Sequence, residues 1–464
     1  MKQAARSWRS ARSAIRQGLD SAPQIAAPWR EVASPFAPGP VLSDRAEGMP
    51  WQNVGWSVSL VGLLCYIWAV TTYAVPIGQA SMIVAIVGLA MQRESLRFPP
   101  FLWIFAAYLG WAFVGASMTA YPQQVSLRIQ LLWKVGLIAL VLVNALRTRA
   151  QQRLFMFVFL AAFALYPTRG ALFNYFGGYT VVGRAIWNYI YGNPNDLAAL
   201  TLLQLGMVLA IYVREPKGWP KLAAIAGIVL LPFVILLTQS RGAFLAIAAF
   251  GLLVIAGQRR RARTFVVVAV VGAVVAMAAP DSLWERIGGL RSATNTETLR
   301  EVDKEGSAEQ RYEIWKVARR IAIENPIVGV GVGAYSQAHA QYALRSEFSP
   351  LAGGARDSHS TYLNVLAESG LVGFIIFCSL FANVFWYAER VRRNVREILP
   401  GSGQQILFLE LGLMAFLMAG IFGSFAGLAF TYIQLALLWA VTNGIERDHT
   451  ALLTGSAYRH SGSA

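Results

Sequence analysis

Among the side chains of the 464-residue sequence whose types bind anions or move protons, three stand out by their positions: Arg241, Arg311 and His359. Arg241 lies in LLTQSRGAFLAIAAF, between two apolar runs, where a charge is costly unless it has a partner or reaches the lipid headgroups. A guanidinium there could bind diphosphate oxygens through paired hydrogen bonds. Alternatively, Arg241 could anchor a helix end at the headgroups. Its position alone leaves both interpretations open.

His359 is one of four histidines and lies in RDSHSTYLNVLAESG, where Asp357 or Ser358 could cap a following helix. A neutral imidazole near pH 7 can accept a proton from a hydroxyl group or donate a hydrogen bond to one. A lone histidine at a helix start can equally be structural. The residue type does not decide between these roles.

Arg311 opens RYEIWKVARRIAIENP, in which the spacing of Tyr312, Trp315, Ala318 and Arg319 predicts an amphipathic helix that ends near Pro326. Alternating charges along this segment also fit a solvated helix face without a further role. The sequence therefore predicts the helix and leaves the role of Arg311 open.

The segment GVGVGAY follows, with glycines at 329, 331 and 333. It is neither GxGxxG nor part of a βαβ pattern, and no Walker motif occurs, so we do not expect a nucleotide site. Glycines at this spacing favour tight turns and close backbone packing. No metal-binding motif occurs either, and we expect neither a metal nor another cofactor.

The elements that must position these residues are apolar. The sequence is 56% hydrophobic and only 14% charged, whereas about 25% is usual for soluble proteins. This predicts an all-α polytopic membrane protein with about twelve transmembrane helices and a large, partly helical outer loop. The predicted spans are 54–73, 76–91, 100–119, 127–146, 152–166, 195–213, 220–238, 241–257, 263–279, 369–388, 406–422 and 425–442.

The net charge of +16 comes from basic clusters between the apolar runs, as the positive-inside rule places them, rather than from a nucleic-acid-binding face. The alternation predicts that both termini are cytoplasmic and that connections 167–194 and 280–358 face outward. The predicted regions are a basic, disordered cytoplasmic tail (1–50), nine spans (51–279), the large loop with catalytic elements (280–358), three spans (359–445) and a second cytoplasmic tail (446–464). A short basic amphipathic helix on the membrane is the alternative for the first tail.

Four segments carry a resemblance to a known family: GNPNDLA (192–198), SRGAFLA (240–246), Arg311 through Trp315 to NPIVGVGVGAY, and DSHSTYLNVLAESGLVG (357–373). In this order they resemble the O-antigen ligase and O-antigen polymerase family of bacterial envelope proteins. The resemblance covers about residues 60–440, and its last two segments are the most specific.

The resemblance implies a glycosyltransferase of the bacterial inner membrane with its active site on the periplasmic face. The donor would be a glycan on undecaprenyl diphosphate, and the acceptor lipid A-core, another glycan or a protein. Arg241 and Arg311 would bind the donor diphosphate, and His359 would activate or orient the acceptor hydroxyl. Supporting roles are also expected for Arg184, whose position in the connection 167–194 could add charge near the donor, for Asn195 in GNPNDLA, and for Glu368, which the resemblance includes and which is expected to be structural.

Two other classes of function are less consistent with the sequence. A secondary transporter would fit twelve spans, but the halves show no repeat, and Glu410 is the main intramembrane acid. A non-catalytic scaffold would not depend on Arg241 or His359. Within the enzyme class, ligase, polymerase and protein glycosylation stay open, with ligase slightly favoured, because the same donor chemistry serves all three.

Overall fold

The computed structural model describes residues 48–92, 95–258, 260–277, 284 and 307–461. The predicted tail 1–50 therefore lies almost wholly outside the described residues, as does the first part of the predicted loop 280–358. Within them the regular structure is helical, apart from one isolated bridge between Val181 and Arg184. In chain order the helices are α1 (Val58–Thr72), α2 (Gly78–Ala90), α3 (Pro100–Met118), α4 (Pro122–Ala145), α5 (Arg149–Phe163), α6 (Arg169–Phe176), α7 (Pro194–Arg214), α8 (Trp219–Leu237), α9 (Arg241–Gly257), α10 (Arg261–Met277), α11 (Ser307–Glu324), α12 (Tyr335–Tyr342), α13 (Thr361–Val395), α14 (Pro400–Ala419) and α15 (Ala429–Ser461).

Each of the twelve predicted spans coincides with one of these helices, which confirms an α-helical polytopic membrane protein. In the described residues, 7 helical stretches are long and apolar enough to cross a membrane. Three shorter apolar helices, α1, α2 and α9, accompany them. The count of twelve spans stays a prediction.

The helices differ from the predicted spans in three places. α5 continues through a π-helical turn, Ala164–Thr168, which accommodates Pro167 and leads directly into α6. The predicted connection 167–194 is therefore helical as far as Phe176. α13 begins at Thr361, before the predicted span, and is interrupted at Gly370, where φ is 64°. α15 runs to Ser461, so the predicted tail 446–464 is helical over most of its length.

The helix predicted from Arg311 onward is confirmed as α11, but the predicted face was wrong. Tyr312 and Arg319 are exposed, and the buried face consists of Ile314, Val317, Ala318 and Ile321. These four residues follow the i, i+3, i+4, i+7 spacing of an amphipathic helix. α11 packs through this face against α12 and α13.

α7 and α14 are the most buried of the long apolar helices. They cross at Gly206 and Gly412, where a methyl group on Gly206 would lie 2.6 Å from the Cα of Gly412. Small residues at such crossings let helix backbones approach closely in a membrane. The bundle is thus built around a tight helix pair whose first member begins at Pro194, beside the candidate site described below.

The described chain has two chemically different ends. At the first, the basic end, cationic side chains of the short connections pair with acids: Arg153 with Glu215 at 2.7 Å and Arg149 with Asp448 at 3.1 Å. At the second, the site end, the segment after α11 contacts the α3–α4 connection, where Thr119 Oγ1 donates to the Val330 carbonyl at 2.6 Å. This segregation is the pattern from which the sequence predicts a cytoplasmic basic end.

Candidate active site

Arg241 is the first residue of α9 and follows a very short turn after α8. Gln239 adopts a left-handed φ of 49°, which ends the helical path of α8. Ser240 then caps α9, its Oγ accepting from the backbone N–H of Ala243 at 3.4 Å. Arg241 therefore adds a full positive charge to the partial positive charge of a helix N-terminus, an arrangement that favours anions.

Arg184 and Asn195 lie beside this turn. The Nε of Arg184 donates to the carbonyl of Thr238 at 2.8 Å, and its Nη2 donates to Asn195 Oδ1 at 2.9 Å. The same Asn195 oxygen accepts from Ser240 Oγ at 2.9 Å. The two predicted supporting residues thus connect the segment before α7, and α7 itself, to the residue immediately before Arg241.

His359 precedes α13, and its electrostatic environment places Arg311 near it. Burial lowers the pKa of His359, and the nearby Arg311 guanidinium lowers it further, as does Arg356 more weakly; Asp357 acts in the opposite direction. A lowered pKa means that the imidazole is neutral at pH 7 and able to accept a proton. The structure therefore brings together two of the three residues singled out in the sequence.

The backbone of His359 is in the left-handed region, with a φ of 48°, which is uncommon for a residue other than glycine. Neighbouring groups hold this conformation. The indole Nε1 of Trp315 donates to the carbonyl of Ser358 at 2.8 Å, and the N–H of Thr361 donates to the carbonyl of Gly420 at 2.7 Å. Ser358 Oγ also lies 3.2 Å from Ser424 Oγ. Such over-determined strain is frequent at functional sites.

A continuous line of packing joins the Arg241 region to the His359 region. A methyl group on Gly242 would lie 2.9 Å from Phe422 Cβ, so α9 rests directly on this ring. Phe422 stacks on Trp315 with ring centroids 6.3 Å apart, and Trp315 is hydrogen-bonded to the residue before His359. The start of α9, α11 and the loop before α13 thus surround one region.

A second link runs through two acids, because the carboxyl groups of Asp196 near the start of α7 and Asp357 repel each other. This interaction connects the Asn195 side of the region with the His359 side. The candidate site therefore includes arginines, a histidine with a lowered pKa and two carboxyl groups.

Glu368 accepts hydrogen bonds from backbone groups of neighbouring segments. Its Oε1 accepts from the N–H of Tyr335 at 3.3 Å, at the start of α12. Its own carbonyl accepts from the N–H of Gly331 at 2.9 Å. The side-chain position of Gly329 is occupied by the Glu368 backbone, so only glycine fits there. The contacts agree with a structural role for Glu368.

The sequence reasoning missed Arg128, on α4. Its side chain packs against Gly333 and Gly427 and interacts electrostatically with Glu368. Arg128 thus joins α4, the glycine segment and the loop before α15. A signal was present, because a charge at the edge of an apolar run is usually buried against a partner.

In the described part of the chain, no group of three or more His, Cys, Asp or Glu side chains could hold a metal ion. The absence of a metal from the reaction stays a prediction. What the arrangement offers by itself is anion binding by guanidinium groups and a helix N-terminus, together with a nearby group that accepts protons.

The fold and the site together define a polytopic α-helical membrane protein with an arginine-rich, histidine-containing site at one end of the bundle. A family model described as O-Antigen ligase matches residues 226–378, the stretch that contains Arg241, Arg311, His359 and Glu368. Residues 226–378 are therefore similar to the O-antigen ligase family, and this match points to a membrane glycosyltransferase of the ligase or polymerase type. A search of curated proteins finds no match.

Proposed function

We propose that the protein transfers a glycan from undecaprenyl diphosphate to an acceptor hydroxyl on the periplasmic face of the inner membrane, with lipid A-core as the favoured acceptor. The observation that carries the proposal is the placement of Arg311 beside His359, inside the family-matched stretch and in packing continuity with the start of α9. A proton acceptor and two guanidinium groups around one region are what this transfer needs.

The reaction is a single displacement. His359 takes the proton of the acceptor hydroxyl as its oxygen attacks the anomeric carbon of the donor. The bond from that carbon to the diphosphate oxygen breaks, and the electron pair leaves with undecaprenyl diphosphate. Because the acceptor attacks from the face opposite the leaving group, the configuration at the anomeric carbon inverts. A product of retained configuration would contradict this mechanism.

Arg241 and Arg311 stabilise the charge that develops on the leaving diphosphate. Preorganised donors in a site of low dielectric constant stabilise such charge better than water does. Loss of either guanidinium should lower turnover about 10²-fold or more, as removal of one oxyanion-hole donor does.

The charge of Arg311 also couples binding of the donor diphosphate to the basicity of His359. In the free protein, Arg311 helps to keep His359 neutral by lowering its pKa. A bound diphosphate would offset this positive charge, raise the pKa of His359 and make it a stronger base when the acceptor reacts. In this proposal Arg311 thus both stabilises the leaving diphosphate and controls the pKa of His359.

The experiment that tests the function uses deletion of the gene in its host and restoration with wild-type or variant chains, followed by gel analysis of envelope glycans. If long chains are missing from lipopolysaccharide and accumulate on undecaprenyl diphosphate, the protein is a ligase. If single repeat units remain on the lipid carrier, it is a polymerase. If glycosylated protein alone is lost, it is an O-oligosaccharyltransferase of the same family.

Variants then test the site. We expect His359→Ala and Arg311→Gln to fail to restore the glycans although the protein is inserted normally. Arg319→Gln is the matched control, because Arg319 is an exposed arginine on the same helix, α11. Unchanged glycans in the deletion strain would refute the function, and restoration by His359→Ala would refute the site. A transporter or scaffold predicts that all these variants behave alike.

A further inference from the structure

A second histidine, His339, is completely buried on α12 and has no part in the proposed reaction. Its Nδ1 lies 3.0 Å from the carbonyl oxygen of Gly354. A carbonyl can only accept, so Nδ1 carries the proton, and the neutral ring has its lone pair on Nε2. His339 therefore ties α12 to the segment that leads to His359.

The other polar atom of this ring lies in an unusual environment. Among the described residues, neither His339 Nε2 nor the Tyr335 hydroxyl has a hydrogen-bond partner, although Tyr335 is only 2% exposed. The two rings lie one helical turn apart with centroids separated by 5.6 Å. Unpaired buried polar atoms destabilise a fold, so their retention at one place calls for an explanation.

His339 contacts the segment from Gly354 to His359, whose backbone is in unusual conformations. Gly354 has a φ of 90° and His359 a φ of 48°, so the chain turns sharply twice within six residues. On either side of His359 the chain is fixed by the bond from Trp315 to the Ser358 carbonyl and by the bond from the Thr361 N–H to the Gly420 carbonyl. Before Ser358, the bond from His339 to Gly354 links the segment to α12.

We propose that His339, in its neutral form, is a positioning residue that fixes segment 353–357 and thereby sets the placement of His359. This inference rests on the proposed function for its consequence in catalysis, but the contact itself does not depend on that function. Tyr335 completes the arrangement, because it packs on the imidazole, and its N–H bonds Glu368 and so fixes α12 on α13.

The groups around His339 favour the neutral form of its imidazole over the protonated form. The loop presents the Gly354 carbonyl and the Arg356 cation, and its own helix presents the ring of Tyr335. Burial lowers the pKa of His339 and Arg356 lowers it further, whereas the bond to Gly354 acts in the opposite direction and is weaker than burial. A second N–H on a protonated ring would place a donor at Nε2, a buried atom that has no hydrogen-bond partner among the described residues.

The sign of the pH dependence follows. When the segment opens, His339 titrates near its ordinary pKa of about 6.5, whereas in the closed form it binds a proton only at a lower pH. The open form therefore gains protons first as the pH falls below about 6.5, and closure of the segment weakens in acid.

Hydrogen–deuterium exchange of the full-length protein in lipid nanodiscs tests the proposal, with rates corrected for intrinsic exchange between pH 5 and 8. We expect peptides covering 353–361 to lose protection in acid in the wild type. His339→Ala should exchange at least about tenfold faster there at every pH, because the contact is missing. His339→Asn should keep the protection without its acid loss, because an amide can donate to Gly354 but does not titrate.

Peptides from α7 and α14 report in the same experiment that each variant is folded. Wild-type protection in His339→Ala, or the same acid loss in His339→Asn as in the wild type, would overturn the proposal. The exchange result stands even if the chain proves not to transfer glycans. If it does, His339→Ala should lower kcat with little change in the donor KM, and His339→Asn should restore kcat, which separates positioning from general destabilisation.

Discussion

The charge environment of His359 determines the pH range in which it can act as a base. Arg311 and Arg356 both lower its pKa, and Asp357 raises it, so neighbouring substitutions should move activity along the pH axis in opposite directions. Arg356 and Asp357 are both exposed, so changes there should disturb packing little. This makes them suitable for separating electrostatics from structure.

We expect Arg356→Gln to shift the acid limb of the kcat/KM profile to higher pH. Removing a nearby positive charge stabilises protonated His359, and the base is then lost earlier as the pH falls. Asp357→Asn should shift the same limb to lower pH, because it removes a negative charge. The measurement is glycan transfer in proteoliposomes across pH. Shifts in the same direction, or no shift at all, would show that His359 does not titrate in the reaction.

At the level of the elements, the break in α13 at Gly370 is a packing site for the segment that follows α11. Gly370 interrupts α13 with a φ of 64° and ψ of −172°, a conformation essentially restricted to glycine. Its side-chain position is occupied by the Ile327 carbonyl, and the next N–H, from Leu371, donates to Pro326 at 2.7 Å. The break in α13 thus packs against the residues that directly follow α11, and this packing positions α11, which contains Arg311 and Trp315.

Gly370→Ala should therefore destabilise the protein by at least about 2 kcal/mol and reduce the amount of folded protein, because the methyl group clashes with backbone in a conformation that alanine avoids. The matched control is Gly110→Ala. Gly110 lies inside α3 with nothing within 4 Å of its side-chain position, and alanine there should stabilise by about 0.5–1 kcal/mol. Thermal unfolding of detergent-solubilised protein checks both. Equal stability of the two variants would contradict the docking role.

The sequence was informative about elements because hydropathy and helix signals are local. Each of the twelve apolar runs predicted the position of a helix, and the glycines at 329, 331 and 333 were correctly interpreted as a site of tight turns. The buried face of α11 was missed because it depends on what α12 and α13 present to it. The continuation of α5 into α6 was missed because Pro167 suggests a break, whereas a π-helical turn absorbs it.

The site was predictable only as a set of residue types. Arg241, Arg311 and His359 were identifiable from their positions and the family resemblance. Their surroundings were not, because Trp315, Phe422 and Gly242 meet through long-range packing that no local pattern encodes. The roles of Arg128 and His339 likewise depend on contacts with segments far away in the sequence.

At the scale of the whole molecule, the two ends of the bundle differ in the way an oriented membrane protein requires. Arg149, Arg153 and Arg214 lie at the basic end, where Arg214 donates to Ser402 at 2.8 Å. The candidate site, with Arg241 and His359, lies at the opposite end. A lipid-linked donor on the periplasmic face can reach the site only if the basic end is cytoplasmic. A test of the orientation is therefore also a test of the proposed function.

Cysteine labelling in intact cells should show this orientation. The two native cysteines, exposed Cys65 and partly buried Cys378, are both free and would first be replaced by serine. We expect a membrane-impermeant maleimide to label Ser126→Cys, in the second turn of α4 at the site end, without permeabilisation. Lys217→Cys, between α7 and α8 at the basic end, should be labelled only after the inner membrane is permeabilised.

Both positions are exposed, so a difference in labelling reports the side of the membrane rather than burial. The reverse pattern would place His359 in the cytoplasm, away from a flipped donor, and the proposed transfer would then be impossible in this orientation. Labelling of both positions in intact cells would mean that one of the twelve helices does not span. The result therefore tests the positive-inside prediction, the number of spans and the access of the donor to the site together.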